Sequence, residues 1–297
     1  MFEVLRRFGL GQNFINWVKL LYRNPSASVL TNGLLSAPFG LGRGTAQGSP
    51  LSPLLFSLAI EPLAIAIRQS KDIKGILIGT KVYKILLYAD DIILTLTDPV
   101  KSIPALIGCV SKFSKISGYK VNYEKSEIMP LGFCDRGEPA FIKPFRWAPT
   151  GLKYLGIRMT SKTNQLYPEN ISPTISHIKD RLVRWKRLPI SFLGRVNLVK
   201  MIILPQLIYP VSMLFLFIDS KDLAGINKAI SEFIWAGRKP KIKTEVLQLP
   251  RALGGWALPK IENYILSLHA RIISMWATQK HIKASCKHIL VCSDPVS

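Results

Sequence analysis

The chain has 297 residues, 48% of them hydrophobic, with 40 Lys plus Arg against 18 Asp plus Glu and a formal net charge of +22. This length and apolar content exclude general disorder and point to two domains, or one domain with a long extension. The charge favours a polyanionic partner, nucleic acid ahead of an anionic membrane, and four scattered cysteines without CxxC spacing indicate neither a zinc site nor a disulfide framework.

Phe2 to Tyr22 reads as a helical region broken at Gly9 and Gly11, with Phe14, Trp17, Val18 and Leu21 on one apolar face. Its amphipathic start, with Arg6 and Arg7, does not read as a secretory signal. Asn24-Pro25 closes it. Two short strands, Ala27 to Leu30 and Leu34 to Phe39, then flank Asn32-Gly33, a strong hairpin signal. In the loop that follows, Gly40, Gly42, Gly44 and Gly48 permit close backbone approach to a polar ligand, with Arg43 beside them. Ser49-Pro50 and Ser52-Pro53 each place a capping residue before a proline, and a helix is predicted from Leu54 through Ile67, bent at Pro62. A glycine loop feeding a helix is either an anion site or a flexible connector, and this one is not a Walker or dinucleotide motif.

Lys84 to Leu96 holds two apolar runs around Asp90 and Asp91. Burying both runs in a sheet would fix the turn and hold the carboxylates at its tip. Adjacent anions repel, and a bound cation would keep both ionised; an ordinary hairpin, in which Asp is a common turn residue, is the equal alternative. Ser102 to Ile116 has helical periodicity and ends at Ser117-Gly118, after which Lys120 to Met129 returns toward the sheet. Lys125 lies in that return, where a lone lysine is ordinarily a solvated charge. Leu152 to Arg158 is a further strand or hairpin element.

From Tyr167 the pattern becomes helical, over Ile171 to Leu188, Leu193 to Leu204, Ile226 to Trp235 and Tyr264 to Trp276. Lys179, Arg181, Arg184, Lys186, Arg187, Arg195 and Lys200, with Trp185 among them, suit either a surface tracking a nucleic-acid backbone or a solvated helix face. Lys239, Lys241 and Lys243 add a loop cluster. Met201 to Ile218 is uncharged, but Pro205, Gln206 and Pro210 interrupt it; two short core helices joined by a proline turn are predicted, and no membrane partner.

The order GTAQGSPLSPLLF, YADD, SGYKVNYEKS and LKYLGI resembles the reverse transcriptases of non-LTR retrotransposons of the long interspersed element type. The resemblance runs across the whole chain, through Trp185 to Pro205, Trp235-Ala236-Gly237 and Gly254-Gly255. It implies an α+β fold: a partial polymerase palm over residues 1–160, an antiparallel sheet with helices, then a mostly helical thumb-like region over 161–297. It also implies RNA-directed DNA polymerisation, with an RNA template, a DNA primer and deoxynucleoside triphosphates as partners.

By the same resemblance Asp90 and Asp91 match the acidic pair that binds Mg²⁺, and Lys125 a lysine that protonates or stabilises the pyrophosphate leaving group. Gln47, Gly48 and Arg43 match the loop and helix contacting the incoming nucleotide and template, Tyr88 belongs to the same substrate surface, and Leu155 and Gly156 to the element supporting the primer end. Ala46 and Ser49 depart from the pattern, where a basic residue and a cysteine are common; the lost cation is expected to weaken template or nucleotide contacts without abolishing chemistry. Two-metal nucleotidyl transfer holds two Mg²⁺ ions roughly 4 Å apart. The family takes a further aspartate from a palm strand upstream of the segment matching Phe2 to Gly9, and neither Glu3 nor Glu61 is placed to replace it. The chain is therefore expected to be the C-terminal part of a longer enzyme, lacking that strand, the fingers and the endonuclease domain, and inactive alone. The alternative is a non-catalytic nucleic-acid-binding remnant.

Overall fold

The computed structural model describes residues 1–42, 44, 46, 48–131 and 139–278. Met1–Asn122 form one compact unit, and the described residues from Tyr123 onward a second.

In the first unit α1 (Phe2–Arg7) and α2 (Gln12–Leu21) are separated by the turn around Gly9, as the two glycines predict. The buried residues of the pair are Leu5, Ile15 and Val18; Trp17 and Leu21, expected on the apolar face, are 68% and 66% exposed. The register is thus rotated: Ile15 and Val18 lie three apart and pack on Leu55. β1 (Ser26–Ala27) pairs with β4 (Phe39–Gly40), and β2 (Leu30–Thr31) with β3 (Leu34–Leu35) across Asn32-Gly33. The hairpin is where the Asn-Gly dipeptide predicts it.

α3 (Ser52–Gln69) starts at the second of the two Ser-Pro pairs, with Pro53 in its first turn as expected, but neither serine caps it. Its N-cap is Leu51, and the Ser52 hydroxyl instead donates to the Ala46 carbonyl at 2.8 Å, folding the glycine loop back on the helix start. Pro62 lies inside the helix. α3 packs on α1 through Leu55 and buries Leu63, Ala64 and Ile67 further along. Two hairpins follow, β5 (Ile76–Ile78) with β6 (Lys81–Tyr83), and β7 (Ile85–Tyr88) with β8 (Asp91–Leu94). α4 (Pro99–Ser117) covers α3 and ends at Gly118 with φ +74°. The buried Ser102 of α4 accepts from the Lys74 amide at 3.0 Å and donates to the Asp72 carbonyl at 3.1 Å, pinning the chain that leads into β5.

The second unit begins with β9 (Glu127–Ile128) and β10 (Arg146–Trp147), a short parallel pair, followed by the hairpin of β11 (Gly151–Tyr154) and β12 (Ile157–Thr160). All the strand pairs among the described residues are separate two-stranded sheets, and the β9–β10 pair is parallel. This corrects the expectation of one antiparallel sheet: the mixed α+β content stands, but among the described residues no hairpin gains a third strand.

The helices then build the main core. α5 (Leu166–Lys186) buries Ile171, Ile175, Ile178 and Leu182 at the three- and four-residue steps of one helix face. α6 (Phe192–Leu198), a π-helical turn (Val199–Ile203) and α7 (Leu204–Leu214) run on as one helix. This corrects the predicted break at Pro205 and Pro210. A π turn skips one α-type hydrogen bond, so the missing N–H of Pro205 is absorbed where the ladder is already interrupted. By length and composition Phe192–Leu214 could cross a membrane. Its Val196, Val199, Ile203, Leu207 and Val211 instead share a core with α5, α8 (Ser220–Ile234) and Leu258 to Ile265. α9 (Thr244–Gln248) and α10 (Ile261–Thr278) complete the described chain.

Candidate active site

Asp90 and Asp91 sit at the tip of the β7–β8 hairpin, with Tyr88 paired to Asp91 across a two-residue turn. Alternation along the strands puts Ile85 inside, while Leu86, Tyr88, Asp90 and Asp91 are exposed. Ala89, the first central residue of the turn, has φ +51°. A non-glycine residue there costs about 1–2 kcal/mol, a local strain of the kind that collects at functional sites.

The base of the hairpin is tied down. The Lys84 ammonium donates to the Arg68 and Ser70 carbonyls at 3.0 and 2.5 Å, neutralising the C-terminal end of α3. The Thr95 amide donates to Lys84 at 3.0 Å, and its hydroxyl to the Tyr83 carbonyl at 2.8 Å. The carboxylate turn therefore projects from a clamped root.

Among the described residues neither carboxylate has an ion-pair partner, and no group of three His, Cys, Asp or Glu could hold a metal. Hard carboxylate oxygens fit a divalent cation such as Mg²⁺, which takes one or two carboxylates and fills its remaining positions with water and phosphate oxygens. The other two carboxylates weighed from the sequence are engaged elsewhere. Glu3 accepts from Arg6 and Arg7, whose hydrogen bonds hold its carboxyl below the ordinary value, and Glu61 pairs with Arg68.

Gly48 turns at φ +84° immediately ahead of α3, whereas Arg43 and Gln47 lie outside the described residues. Lys125 belongs to the second unit, exposed on a 3-10 turn over Tyr123–Lys125. Leu155 and Gly156 form the β11–β12 turn, with φ of +47° and +81°.

Tyr209 on α7 had no signal in the sequence, lying between Ile208 and Pro210 in an apolar run. Its hydroxyl donates to the Leu155 carbonyl, and a Cβ on Gly156 would meet its ring at 3.8 Å. The helical core thereby holds the tip of this hairpin. Arg195, in the sequence simply one of a basic run, is 4% exposed and donates to four backbone carbonyls.

Residues 1–159 match the family model described as reverse transcriptase (RNA-dependent DNA polymerase). The chain is 29% identical over 269 residues to the transposon TX1 uncharacterized 149 kDa protein of Xenopus laevis, covering 88% of this chain and 20% of that protein. It is 24% identical over 294 residues to the retrovirus-related Pol polyprotein from type-2 retrotransposable element R2DM of Drosophila melanogaster, covering 92% of this chain and 26% of that protein. The chain thus spans about a fifth to a quarter of the length of these relatives.

Proposed function

The chain belongs to the reverse transcriptase (RNA-dependent DNA polymerase) family, and from that premise we propose that Asp90 and Asp91 supply part of a two-metal clamp for RNA-templated DNA synthesis. The observation that carries this reading is the pair of adjacent, exposed carboxylates at the tip of a strained turn, neither in an ion pair among the described residues. Bound Mg²⁺ would supply activation of the primer hydroxyl and charge neutralisation on the triphosphate. The protein's own part is to keep two like charges together, which the Lys84 and Thr95 contacts at the hairpin root favour.

By the same family reading, Arg43, Gln47, Gly48 and Tyr88 are read as contacts to nucleotide and template, Lys125 as the group meeting the leaving pyrophosphate, and Leu155 and Gly156 as the primer support. The Tyr209 hydrogen bond to Leu155 supports the last of these, because a primer end needs a fixed ledge. Residues 1–160 are assigned as partial palm and 161–297 as thumb-like region; the family match over 1–159 supports the first assignment. The partners are an RNA template, a DNA primer and deoxynucleoside triphosphates, within a retrotransposon polymerase longer than this chain, in keeping with the length of its relatives.

Two carboxylates are fewer ligands than such a clamp requires, so this chain alone is expected to give no primer extension. It is expected to bind Mn²⁺, a spectroscopic substitute for Mg²⁺, weakly, in the millimolar range typical of the weakest oxygen-ligand sites. Electron paramagnetic resonance of Mn²⁺ with the native chain and with the Asp90→Asn/Asp91→Asn variant measures this. Equal binding by both would overturn the metal assignment. Primer extension that persists in Asp90→Ala would overturn the catalytic one, and extension abolished by that change would overturn only the expected inactivity.

A further inference from the structure

The ribbon formed by β1 to β4 has no interior. Every residue from Ser28 to Leu41 is exposed, and alternation along the strands leaves apolar side chains on both of its faces. Leu30 and Leu35, directly opposite each other and each 69% exposed, share one face; Leu34, 78% exposed, lies beside Thr31 on the other. No residue from Asn24 to Gly42 is charged, in a chain that is 20% charged and carries +22. A two-stranded ribbon that buries so little is marginal by itself and gains stability from further strands.

Both edges of the ribbon are open, because each of its strand pairs is a separate two-stranded sheet. The Ser36 amide donates to the Val29 carbonyl at 2.9 Å, so these two residues turn their backbone groups inward. By the antiparallel alternation their neighbours Leu30 and Leu35 turn theirs outward, one on each edge. The two edges are not equivalent. Pro38, which has no N–H, interrupts the side of β3 and β4, whereas Ser26 to Thr31 runs without a proline. Open edges are ordinarily blocked by a lysine or an inward-pointing charge; the β1–β2 edge has neither.

Charge decides what can pair with this edge. A polyanion finds no cation between Arg23 and Arg43. A second copy of the chain finds the one long exposed stretch where two strongly basic bodies can touch without setting cation against cation. Ser26 to Thr31, extended, reaches about 20 Å, more than the screening length of about 8 Å at physiological salt.

We propose that the β1–β2 edges of two copies pair antiparallel about a two-fold axis, joining their ribbons into one four-stranded sheet. An edge that meets its own copy makes a closed contact, and the joined sheet has enough strands to be stable. The ribbon belongs to the first unit and uses neither Asp90 nor Asp91.

Sedimentation velocity of the nuclease-treated full chain, from roughly 1 to 50 µM, tests the proposal through a concentration-dependent dimer. Leu30→Pro removes the outward N–H of the β1–β2 edge and is expected to weaken the dimer at least about tenfold. Leu30→Lys keeps that N–H but adds a charge to the edge, and is expected to weaken it comparably. Leu35→Pro makes the same exchange on the other edge and is expected to change dimerisation less than about threefold. Neither leucine is buried, so the body of the protein keeps its fold in all three variants. Equal loss from Leu30→Pro and Leu35→Pro would overturn the edge assignment. A chain that stays monomeric throughout, or a dimer untouched by both Leu30 changes, would overturn the pairing.

Raising salt from about 50 to 300 mM is expected to tighten the dimer, because it screens the +22 on each copy. Association that weakens with salt would mean copies bridged by a polyanion, and would overturn direct pairing. Species that grow past the dimer would overturn the two-fold closure. Monomers that bind phosphatidylcholine vesicles, and lose that binding in Leu30→Lys, would overturn the second copy as the occupant.

Discussion

His269 on α10 is 3% exposed, and neither ring nitrogen has a hydrogen-bond partner among the described residues. Phe215 and Phe217 flank it at 4.4 and 4.5 Å between ring centres. A buried polar ring without partners costs about 1–3 kcal/mol, partly offset here by aromatic packing. His269→Leu is therefore expected to raise stability by about 1 kcal/mol in denaturant unfolding of the full chain. A loss of more than about 2 kcal/mol would show that the imidazole is paired after all. Arg195 is the opposite case, a buried polar group that makes four hydrogen bonds to backbone carbonyls. Both residues look ordinary in the sequence, because what distinguishes them is a set of carbonyls or rings far along the chain.

At the scale of elements, Tyr167 joins the start of α5 to the start of α8. Its hydroxyl donates to the Asp222 carboxylate at 2.8 Å and accepts from the Asp219 amide at 3.2 Å. Burial, reinforced by the hydrogen bond to Asp222, pushes its pKa from 10.0 up to about 12. Ionisation is thus easier unfolded than folded, so this contribution to stability is intact below about pH 10 and is lost as pH rises toward about 12. The difference in melting temperature between the native chain and Tyr167→Phe is expected to shrink over that window. A constant difference would show that the phenol does not titrate with folding.

Elements with strong local chemistry were legible beforehand: the Asn32-Gly33 hairpin, the turn carrying Asp90 and Asp91, and the apolar face of α5. The Ile76–Tyr83 hairpin has little signature in the sequence, since Gly79-Thr80 is a weak turn signal beside Asn-Gly. The continuity through Pro205 was missed because proline argues for a break unless the turn before it has already widened. For the candidate site, sequence placed the two carboxylates at a turn but gave no sign of Lys84 at its root or of Tyr209 behind Leu155.

On the scale of the molecule, the two units differ in what they bury. The second has a core of Ile171, Ile203, Leu207, Phe233 and their neighbours, drawn from α5 through α10. In the first, Leu5, Ile15, Val18 and Leu55 form one cluster and Leu63, Ile67, Ile73, Ile103 and Leu106 are also buried, while Leu34, Leu77 and Leu86 of its hairpins are largely exposed. Local opening follows the density of buried contacts. Hydrogen exchange read by mass spectrometry is therefore expected to be slowest in α5, α7 and α8, and at least tenfold faster in the β2–β3 and β7–β8 hairpins. Equal protection in both units would contradict this ranking.

The π turn at Val199–Ile203 separates two residues with opposite duties. Upstream, Arg195 gathers the ends of α5 and α8; downstream, Tyr209 reaches the β11–β12 tip. One residue of helix is about 100° of rotation. The extra residue that a π turn accommodates thus sets the phase between the two arms. Shorten the turn to plain α-helix by removing Met201, which is 76% exposed, and Tyr209 would swing by about that angle relative to Arg195. Within one continuous rod, the guanidinium that ties α5 to α8 and the hydroxyl that steadies the Leu155 turn are kept in step by a single exposed methionine.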